Sequence, residues 1–222
     1  MLIVPLGRKG SDGIPLVTLF VCVACVIVYV FANTPSDRLA LAFHPDQLDP
    51  LKMFTAVFTH ANAWHLLGNL FFFYCFARTI EARINLSGYL LAFVVFVLVT
   101  SLAYSASAHE PIPTLGLSGV VWGFMGLFLF RFPKDRIECW MPFLNKIEVP
   151  ASLFILAFLA FDIAAFRGPE VVAVNYVAHF SGFAAGAFFK LALWNTFATE
   201  EPAVGKKPAY PSRLAHSKAG RR

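Results

Sequence analysis

Charged residues are scarce in this chain of 222 residues: only 14% are Asp, Glu, Lys or Arg, whereas 58% are hydrophobic. A typical soluble domain carries about a quarter of its residues as charges, so this composition excludes an ordinary soluble domain. It predicts a polytopic membrane protein. Because a membrane span needs about 20 residues, the length allows one bundle of roughly six helices and no second folded domain.

Several familiar chemical motifs are also missing. The chain has no HExxH sequence, and His65 with Asn69 is a poor zinc pair because no carboxylate or thiolate accompanies it. The GxSxG motif of soluble serine hydrolases is absent as well. Cysteine is sparse, and three of the four cysteines lie in apolar segments, where this residue commonly acts as a small hydrophobe. We therefore expect neither a metal nor another cofactor.

Six apolar segments account for most of the chain. They cover residues 14–31, 64–80, 89–108, 117–132, 149–166 and 175–194. The connection 32–63 is partly apolar and interrupted by proline, so we expect an interfacial and partly helical loop. The sequence thus predicts an all-α membrane protein with a core of six transmembrane helices over residues 14–195.

The distribution of basic residues predicts the orientation of these spans. If the N-terminal segment 1–13 is cytosolic, fifteen Lys and Arg residues fall on the cytosolic side and three on the outer side. The positive-inside rule then favours cytosolic N- and C-termini, with a basic, disordered cytosolic tail over 196–222. No fold accompanies these charges, so we expect contact with anionic lipid rather than nucleic acid. A bacterial plasma membrane is the expected location.

Four polar residues interrupt the second, fourth and sixth apolar segments. Ser118 and His65 each precede a basic residue at the inner end of their segment by 13 positions, and His179 precedes one by 11. At 1.5 Å per residue these three side chains lie roughly 16–20 Å above the inner boundary, at similar depths. Asn69 follows His65 by four residues and so shares its helix face. Polar residues at this depth are functional candidates.

The fourth segment is unusually short. Residues 117–132 form a helix of about 24 Å, which would begin inside a hydrocarbon core about 30 Å thick. The preceding "PIPTLG" must then enter the protein as irregular backbone, which is tolerated only where it is buried or faces water. The sequence therefore predicts a polar cavity that is open to the outside and ends near Ser118.

Two stripes of small residues predict that the fourth and sixth helices pack closely. The stripes consist of Gly119, Gly123 and Gly126 in one segment and Ala178, Gly182 and Gly186 in the other. Small residues at this spacing allow two membrane helices to approach each other. Ser118 and His179 each flank one stripe, so facing stripes would bring the two side chains within hydrogen-bonding reach.

A serine and a histidine in contact would provide nucleophilic catalysis. A serine hydroxyl needs an adjacent base to accept its proton, and His179 can act as that base. No Asp or Glu lies near His179 in sequence, since Asp162 falls toward the outer end of the fifth segment. We therefore expect a Ser–His dyad rather than a triad. The unpaired amides at the start of the fourth helix, with Asn69 and His65, can donate hydrogen bonds to an oxyanion.

The motifs "HLLGN" at 65–69, "GLSG" at 116–119 and "AHFSGFAAG" at 178–186 resemble those of the rhomboid family of intramembrane serine proteases. The resemblance implies that Ser118 is the nucleophile and His179 the general base. It also implies an oxyanion hole formed by Asn69, His65 and the backbone at Leu117 and Ser118. Well-known bacterial members have Tyr four residues after the nucleophile, stacked on the catalytic histidine. This chain has Trp122 there, which can also stack.

The resemblance implies a serine endopeptidase whose partners are membrane-protein substrates, cleaved within or beside a transmembrane helix. An inactive family member that binds membrane clients is the first alternative, and the presence of both Ser118 and His179 argues against it. A small transporter or channel is the second alternative. The chain shows no inverted repeat and has few charges within its apolar segments, which argues against transport.

Overall fold

The structure is a computed structural model that describes residues 4–7, 14–108, 110–141, 145–166 and 174–199. Helices dominate these residues. In chain order they are α1 (Leu16–Phe31), α2 (Pro35–Leu41), α3 (Pro50–Phe58), α4 (Ala63–Glu81), α5 (Leu86–Ser107), α6 (Ser118–Arg131), α7 (Ala151–Phe166), α8 (Tyr176–Ala192) and α9 (Trp194–Phe197). Three short strands accompany them: β1 (Val4–Gly7), β2 (Arg136–Met141) and β3 (Asn145–Pro150).

Each of the six apolar segments contains one of the longer helices, and the helix ends fall within three residues of the segment ends. By length and composition, α5 is the one helix among the described residues that is long and apolar enough to cross a membrane. Helices α1, α6 and α7 are apolar but shorter. The connection between α1 and α4 contains α2 and α3, so it is partly helical as predicted, and its interfacial position stays a prediction.

The described residues are mostly helical, but β1, β2 and β3 form a small antiparallel sheet in that order, which the prediction of an all-α protein did not include. Strand β2 pairs with β3 in a register that sets Arg136 opposite Pro150 and Met141 opposite Asn145. The sequence of β2 alternates Arg136 and Glu138 with Ile137 and Cys139, a period typical of a strand. Such short, half-polar segments carry no long apolar run that would distinguish them from loops. Strand β1 lies within the N-terminal segment 1–13.

Asparagine side chains set the starts of the three helices that support the site. Asn62 accepts a hydrogen bond from the His65 amide at the start of α4, and Asn85 accepts one from Gly88 at the start of α5. Asn175 accepts one from the Ala178 amide at the start of α8. Each cap satisfies an amide that the helix itself leaves unpaired. The caps thereby fix the residue at which each helix begins. In this way they set the positions of His65 in α4 and of the residues of α8.

Helix α1 receives its cap from another helix. Its N-cap residue is Pro15, whose side chain makes no capping hydrogen bond. The carboxylate of Glu81, at the end of α4, accepts hydrogen bonds from the amides of Val17 and Thr18, both at 2.9 Å. The Thr18 hydroxyl donates to the same carboxylate at 2.6 Å. An acidic group beside the first turn of a helix also interacts favourably with the helix dipole. Through these contacts Glu81 stabilises the packing of α1 on α4.

An aromatic core lies between α4, α5 and α6. The ring of Phe124 on α6 meets those of Phe73 and Phe96 edge to face, with centroids 5.5 and 5.3 Å apart. All three side chains are fully buried. On the outside of the bundle, by contrast, large apolar side chains are exposed, among them Phe20, Phe161, Phe188 and Leu191. Exposed apolar surface on this scale matches a lipid environment rather than water.

Candidate active site

Helices α6 and α8 pack backbone to backbone, and their glycines make this possible. A Cβ added to Gly182 would overlap the carbonyl oxygen of Gly119, and one added to Gly186 would overlap that of Gly123. A Cβ on Gly126 would likewise meet the backbone of Phe183. The two small-residue stripes therefore face each other, and at these glycines no side chain separates the two backbones. This close approach brings the first turns of α6 and α8 together.

Ser118 and His179 meet where the two first turns come together. The Ser118 Oγ lies 2.9 Å from His179 Nε2, and the other ring nitrogen, Nδ1, lies 2.6 Å from Asp162 Oδ2. An ionised carboxylate only accepts hydrogen bonds, so Nδ1–H donates to Asp162 and the Nε2 lone pair accepts from the Ser118 hydroxyl. The three side chains form a continuous hydrogen-bonded line from α6 through α8 to α7.

The expectation that no carboxylate would reach His179 is wrong. Asp162 lies 17 residues before His179 on a different helix, and the packing of α7 beside α8 brings the two together. The side chains of Asp162 and His179 are each only 11% exposed. One sequence signal was available: Asp162 is the single ionisable residue in α7, and an ionisable residue in an apolar helix is a functional candidate by default.

A cavity of about 410 Å³ opens beside Ser118 and His179. It is bounded by α3, the start of α4, α5, the loop before α6 and the start of α8. Its polar lining includes His65, Thr100, Ser101, Thr114, Ser118, Asn175 and His179. A cavity beside Ser118 is therefore present, as predicted, while its opening toward the outer side of a membrane stays a prediction. A substrate group and a water molecule that entered it would both reach the serine hydroxyl.

The backbone before α6 is irregular, as the short fourth segment predicts. Thr114 pairs with Phe43 through two backbone hydrogen bonds of 2.9 Å, and the Gly116 amide donates to the carbonyl of Ala56 at 2.8 Å. Protein groups thus satisfy polar backbone that would otherwise be costly within a membrane. Asn175, at the start of α8, donates through Nδ2 to the Thr114 hydroxyl at 3.3 Å, which ties this loop to the helix of His179.

Gly116 has a backbone conformation that only glycine adopts readily. Its φ is +119°, and a Cβ there would lie 2.7 Å from His65 Cε1 and 2.9 Å from His65 Nε2. The His65 ring therefore packs directly on the backbone two residues before Ser118. The Asn69 amide nitrogen lies 3.7 Å from the same hypothetical Cβ.

The residues that the resemblance assigns to an oxyanion hole occupy different environments. His65 lines the cavity together with Ser118. Asn69 is buried and donates through Nδ2 to the His65 carbonyl at 3.0 Å, which leaves its second amide hydrogen for another acceptor. Leu117 is fully buried, and its carbonyl accepts the Val121 amide. At the start of α6 no side chain caps the helix, so the amides of its first turn remain donors.

Aromatic rings surround His179. The Trp122 ring lies one turn after Ser118 on α6, with its centroid 5.8 Å from that of His179 and its plane tilted by 35°. The Tyr176 ring approaches from α8 at 6.0 Å, nearly perpendicular to the imidazole. Trp122 itself is buried against Phe183. These rings restrict how the imidazole can turn, while its hydrogen bonds run to Ser118 and Asp162.

The fold and this site together define a mostly helical membrane protein with a serine, a histidine and an aspartate in line beside a cavity. A family model described as the rhomboid domain matches residues 47–196, which include Ser118, His179 and Asp162. The chain therefore belongs to the rhomboid family. Membership of this family, together with the exposed apolar faces of the bundle, makes the chain an integral membrane protein.

Individual relatives agree with this assignment. The chain is 30% identical over 125 residues to the proteins named Rhomboid protease GlpG from Salmonella choleraesuis (strain SC-B67), Salmonella paratyphi A (strain ATCC 9150 / SARB42) and Salmonella typhi. Each match covers 54% of this chain and 45% of the relative. The chain thus spans about half the length of the curated relatives it matches.

Proposed function

We propose that this chain is an intramembrane serine endopeptidase that cleaves membrane proteins in or near their transmembrane helices. One observation carries the proposal: the Ser118 hydroxyl lies 2.9 Å from His179 Nε2 at the edge of a cavity. A nucleophile and a base within hydrogen-bonding distance, beside space for a substrate, are what acyl transfer requires. The relatives named as rhomboid proteases support the same reaction class.

In this reaction Ser118 Oγ attacks the carbonyl carbon of the scissile peptide bond while His179 Nε2 takes the hydroxyl proton. The tetrahedral intermediate collapses, the C–N bond breaks and His179 returns the proton to the leaving amine. A water molecule in the cavity then attacks the ester on Ser118 and gives a proton to His179. The second intermediate then collapses, the C–O bond to Ser118 Oγ breaks, and His179 returns its proton to that oxygen. This step releases the carboxyl product and restores the serine hydroxyl and the neutral histidine.

The negative oxygen of each intermediate needs hydrogen-bond donors. The first-turn amides of α6 at Ser118 and Gly119 point away from their own helix and are available for this role. We assign His65, on the cavity wall, and the second amide hydrogen of Asn69 as further donors, with the backbone at Leu117 completing the turn. Removal of one such donor in serine proteases costs about 3–4 kcal/mol of transition-state stabilisation. Several donors that share the oxyanion would reduce the cost of removing any single one.

We further propose that α1, α4, α5, α6, α7 and α8 all cross the bilayer, with both termini in the cytosol. The excess of fifteen basic residues over three supports this orientation. The short α6 would then start below the outer surface and place Ser118 within the membrane, where water reaches it through the cavity. A bacterial plasma membrane, with single-span or polytopic proteins as substrates, fits the named relatives.

The test is labelling of the purified protein in detergent with a fluorophosphonate probe, which reacts with activated serines. Wild type should be labelled at Ser118, and both Ser118→Ala and His179→Ala should abolish labelling. Ser181→Ala is the matched control, because the Ser181 hydroxyl donates to the Ala178 carbonyl within its own helix. This variant should be labelled like wild type.

Absence of labelling in folded wild-type protein, beside an active rhomboid protease that is labelled, would overturn the proposal. That result would favour an inactive family member that binds membrane clients. Labelling of wild type that persists in Ser118→Ala would instead show that another serine reacts and that the assignment of the nucleophile is wrong.

A further inference from the structure

We propose that Asp162 is a positioning residue for His179, so that the site works as a Ser118–His179–Asp162 triad. This inference rests on the proposed function and adds a third group to it. The carboxylate bonds the ring nitrogen opposite the one that faces the serine, at 2.6 Å. The order serine, histidine, carboxylate along one hydrogen-bonded line is the arrangement that activates serine in hydrolases of unrelated folds.

The placement of Asp162 within α7 indicates a specific role. Its neighbours Phe161 and Ile163 are 69% and 40% exposed, whereas Asp162 is 8% exposed. The helix therefore presents apolar side chains outward and turns its one carboxylate toward α8. Burying a carboxylate in an apolar bundle is costly unless a partner compensates. Within the described part of the chain, the hydrogen-bond partner of this carboxylate is His179.

The hydrogen bond has two chemical consequences for His179. First, it keeps the proton on Nδ1 and leaves the Nε2 lone pair toward Ser118, which is the tautomer that a general base requires. Second, the negative charge stabilises the imidazolium that forms when Nε2 takes the serine proton. Trp122 and Tyr176 touch the ring through their own rings, at 5.8 and 6.0 Å between centroids. Those contacts limit rotation of the imidazole but do not select its tautomer.

The competing interpretation is that Asp162 only ties α7 to α8. The structure offers a residue that does so without touching His179. Phe166, one turn after Asp162, packs its ring on Tyr176 and Phe180 of α8, with centroids 6.0 and 5.9 Å away. Phe166→Ala therefore loosens the same pair of helices while leaving the hydrogen bond to His179 intact. It is the matched control for a purely structural role.

The experiment measures fluorophosphonate labelling as a function of probe concentration, which separates the maximal rate of inactivation from the concentration at half saturation. The variants are Asp162→Asn, Asp162→Ala, Asp162→Glu and Phe166→Ala, each with its apparent Tm in detergent. Asp162→Asn and Asp162→Ala should lower the maximal rate by about a hundredfold or more, since loss of the equivalent carboxylate elsewhere costs up to about ten-thousandfold. The half-saturating concentration should change little.

The other two variants distinguish positioning from packing. Asp162→Glu should recover part of the lost rate because it restores a carboxylate on a side chain one methylene longer. Phe166→Ala should lower the apparent Tm and leave the maximal rate near that of wild type. A spectroscopic readout is independent of the reaction: in ¹⁵N-histidine-labelled protein, the downfield proton signal of His179 Nδ1–H should disappear in Asp162→Ala and persist in Phe166→Ala.

Wild-type rates in Asp162→Asn and Asp162→Ala would overturn the role of Asp162 and leave the proposed protease function standing. A rate loss in Phe166→Ala that matches the loss in Asp162→Ala would also overturn it, because helix packing would then explain both. Absence of labelling in wild type would overturn the proposed function, and with it any catalytic contribution of Asp162. In that case the Nδ1–H signal still decides whether the hydrogen bond exists.

Discussion

A Cβ on Gly186 would overlap the carbonyl oxygen of Gly123, so α8 lies against the bare backbone of α6 at this point. The same Cβ would lie 2.6 Å from the Leu127 amide nitrogen. One turn toward the site, a Cβ on Gly182 would likewise overlap the carbonyl oxygen of Gly119. The separation of Ser118 and His179 follows from this contact, because both residues are carried on these two rigid helices. Packing of the two glycine stripes is therefore a condition for the hydrogen bond between Ser118 and His179.

Gly186→Ala should destabilise the fold and slow fluorophosphonate labelling. The added methyl group meets backbone atoms, which cannot move aside as a side chain can, and overpacking of this kind costs about 1–3 kcal/mol. Thermal unfolding in detergent, together with the labelling rate, measures both effects. Gly68→Ala is the matched control because a Cβ there meets nothing within 4 Å. That variant should keep or slightly raise the apparent Tm, since alanine favours helix more than glycine does. Equal Tm values for the two variants would contradict the packing argument.

Gly116→Ala should reduce labelling more than tenfold and should also destabilise the fold. The substitution places a side chain at a φ of +119°, which costs about 1–3 kcal/mol, and forces the His65 ring away from the cavity wall. A double-mutant cycle with His65→Ala separates the two causes. If the clash with His65 matters, Gly116→Ala should cost less stability in the His65→Ala background than in wild type. Strict additivity of the two changes would leave backbone strain as the sole cause.

Much of the helical architecture could be predicted from local sequence. Apolar runs located the six longer helices within three residues, and the spacing of the two glycine stripes was enough to predict that Ser118 and His179 lie in hydrogen-bonding reach. These features depend on composition and on spacing along one or two helices. A contact that depends on how a third helix, here α7, is rotated about its axis cannot be predicted from composition or from spacing along one or two helices. Asp162 meets His179 through the packing of α7, and distance along the chain gave no indication of it.

The sheet and the cap on α1 were missed for a related reason. Strands β2 and β3 are short and half polar, so they carry no long apolar run, and β1 pairs with β2 from the N-terminal segment, far away along the chain. Glu81 caps α1 from a position 63 residues after Thr18. Neither contact follows from the periodicity of a single segment. Both require the tertiary arrangement of α1, α4 and the strands.

Glu81→Gln should destabilise the protein by about 1–3 kcal/mol, the cost of leaving buried donors without a full partner. Glutamine keeps one oxygen, so it cannot accept from both the Val17 amide and the Thr18 donors as the carboxylate does. Chemical or thermal unfolding measures the loss, and hydrogen exchange should show faster opening of the first turn of α1. The same substitution at Glu148 is the control. Glu148 pairs with Arg136 where both side chains are more than half exposed, and such pairs contribute about 0–1 kcal/mol. Equal losses at Glu81 and Glu148 would refute the capping role.

The stability of the protein should fall as the pH is lowered from 6.5 to 4, and His60 should account for a large part of the fall. His60 lies in the short loop between α3 and α4, is fully buried, and packs edge to face on His65 with ring centroids 5.2 Å apart. Its Nδ1–H donates to the Phe58 carbonyl at 3.3 Å, and among the described residues Nε2 has no hydrogen-bond partner. Burial, with a smaller contribution from His65, lowers the pKa of His60 from 6.5 to about 4.

In that pH window the unfolded chain binds a proton at His60 that the folded protein does not, so the free energy of unfolding decreases as the pH falls. At about 1.4 kcal/mol per pKa unit, the loss reaches about 3 kcal/mol once the pH is near 4. His60→Gln removes the titrating group, so its unfolding free energy should depend much less on pH between 6.5 and 4, whatever its stability at neutral pH. Identical slopes for wild type and His60→Gln would show that other groups cause the loss of stability in acid, because a buried neutral His60 requires the two slopes to differ.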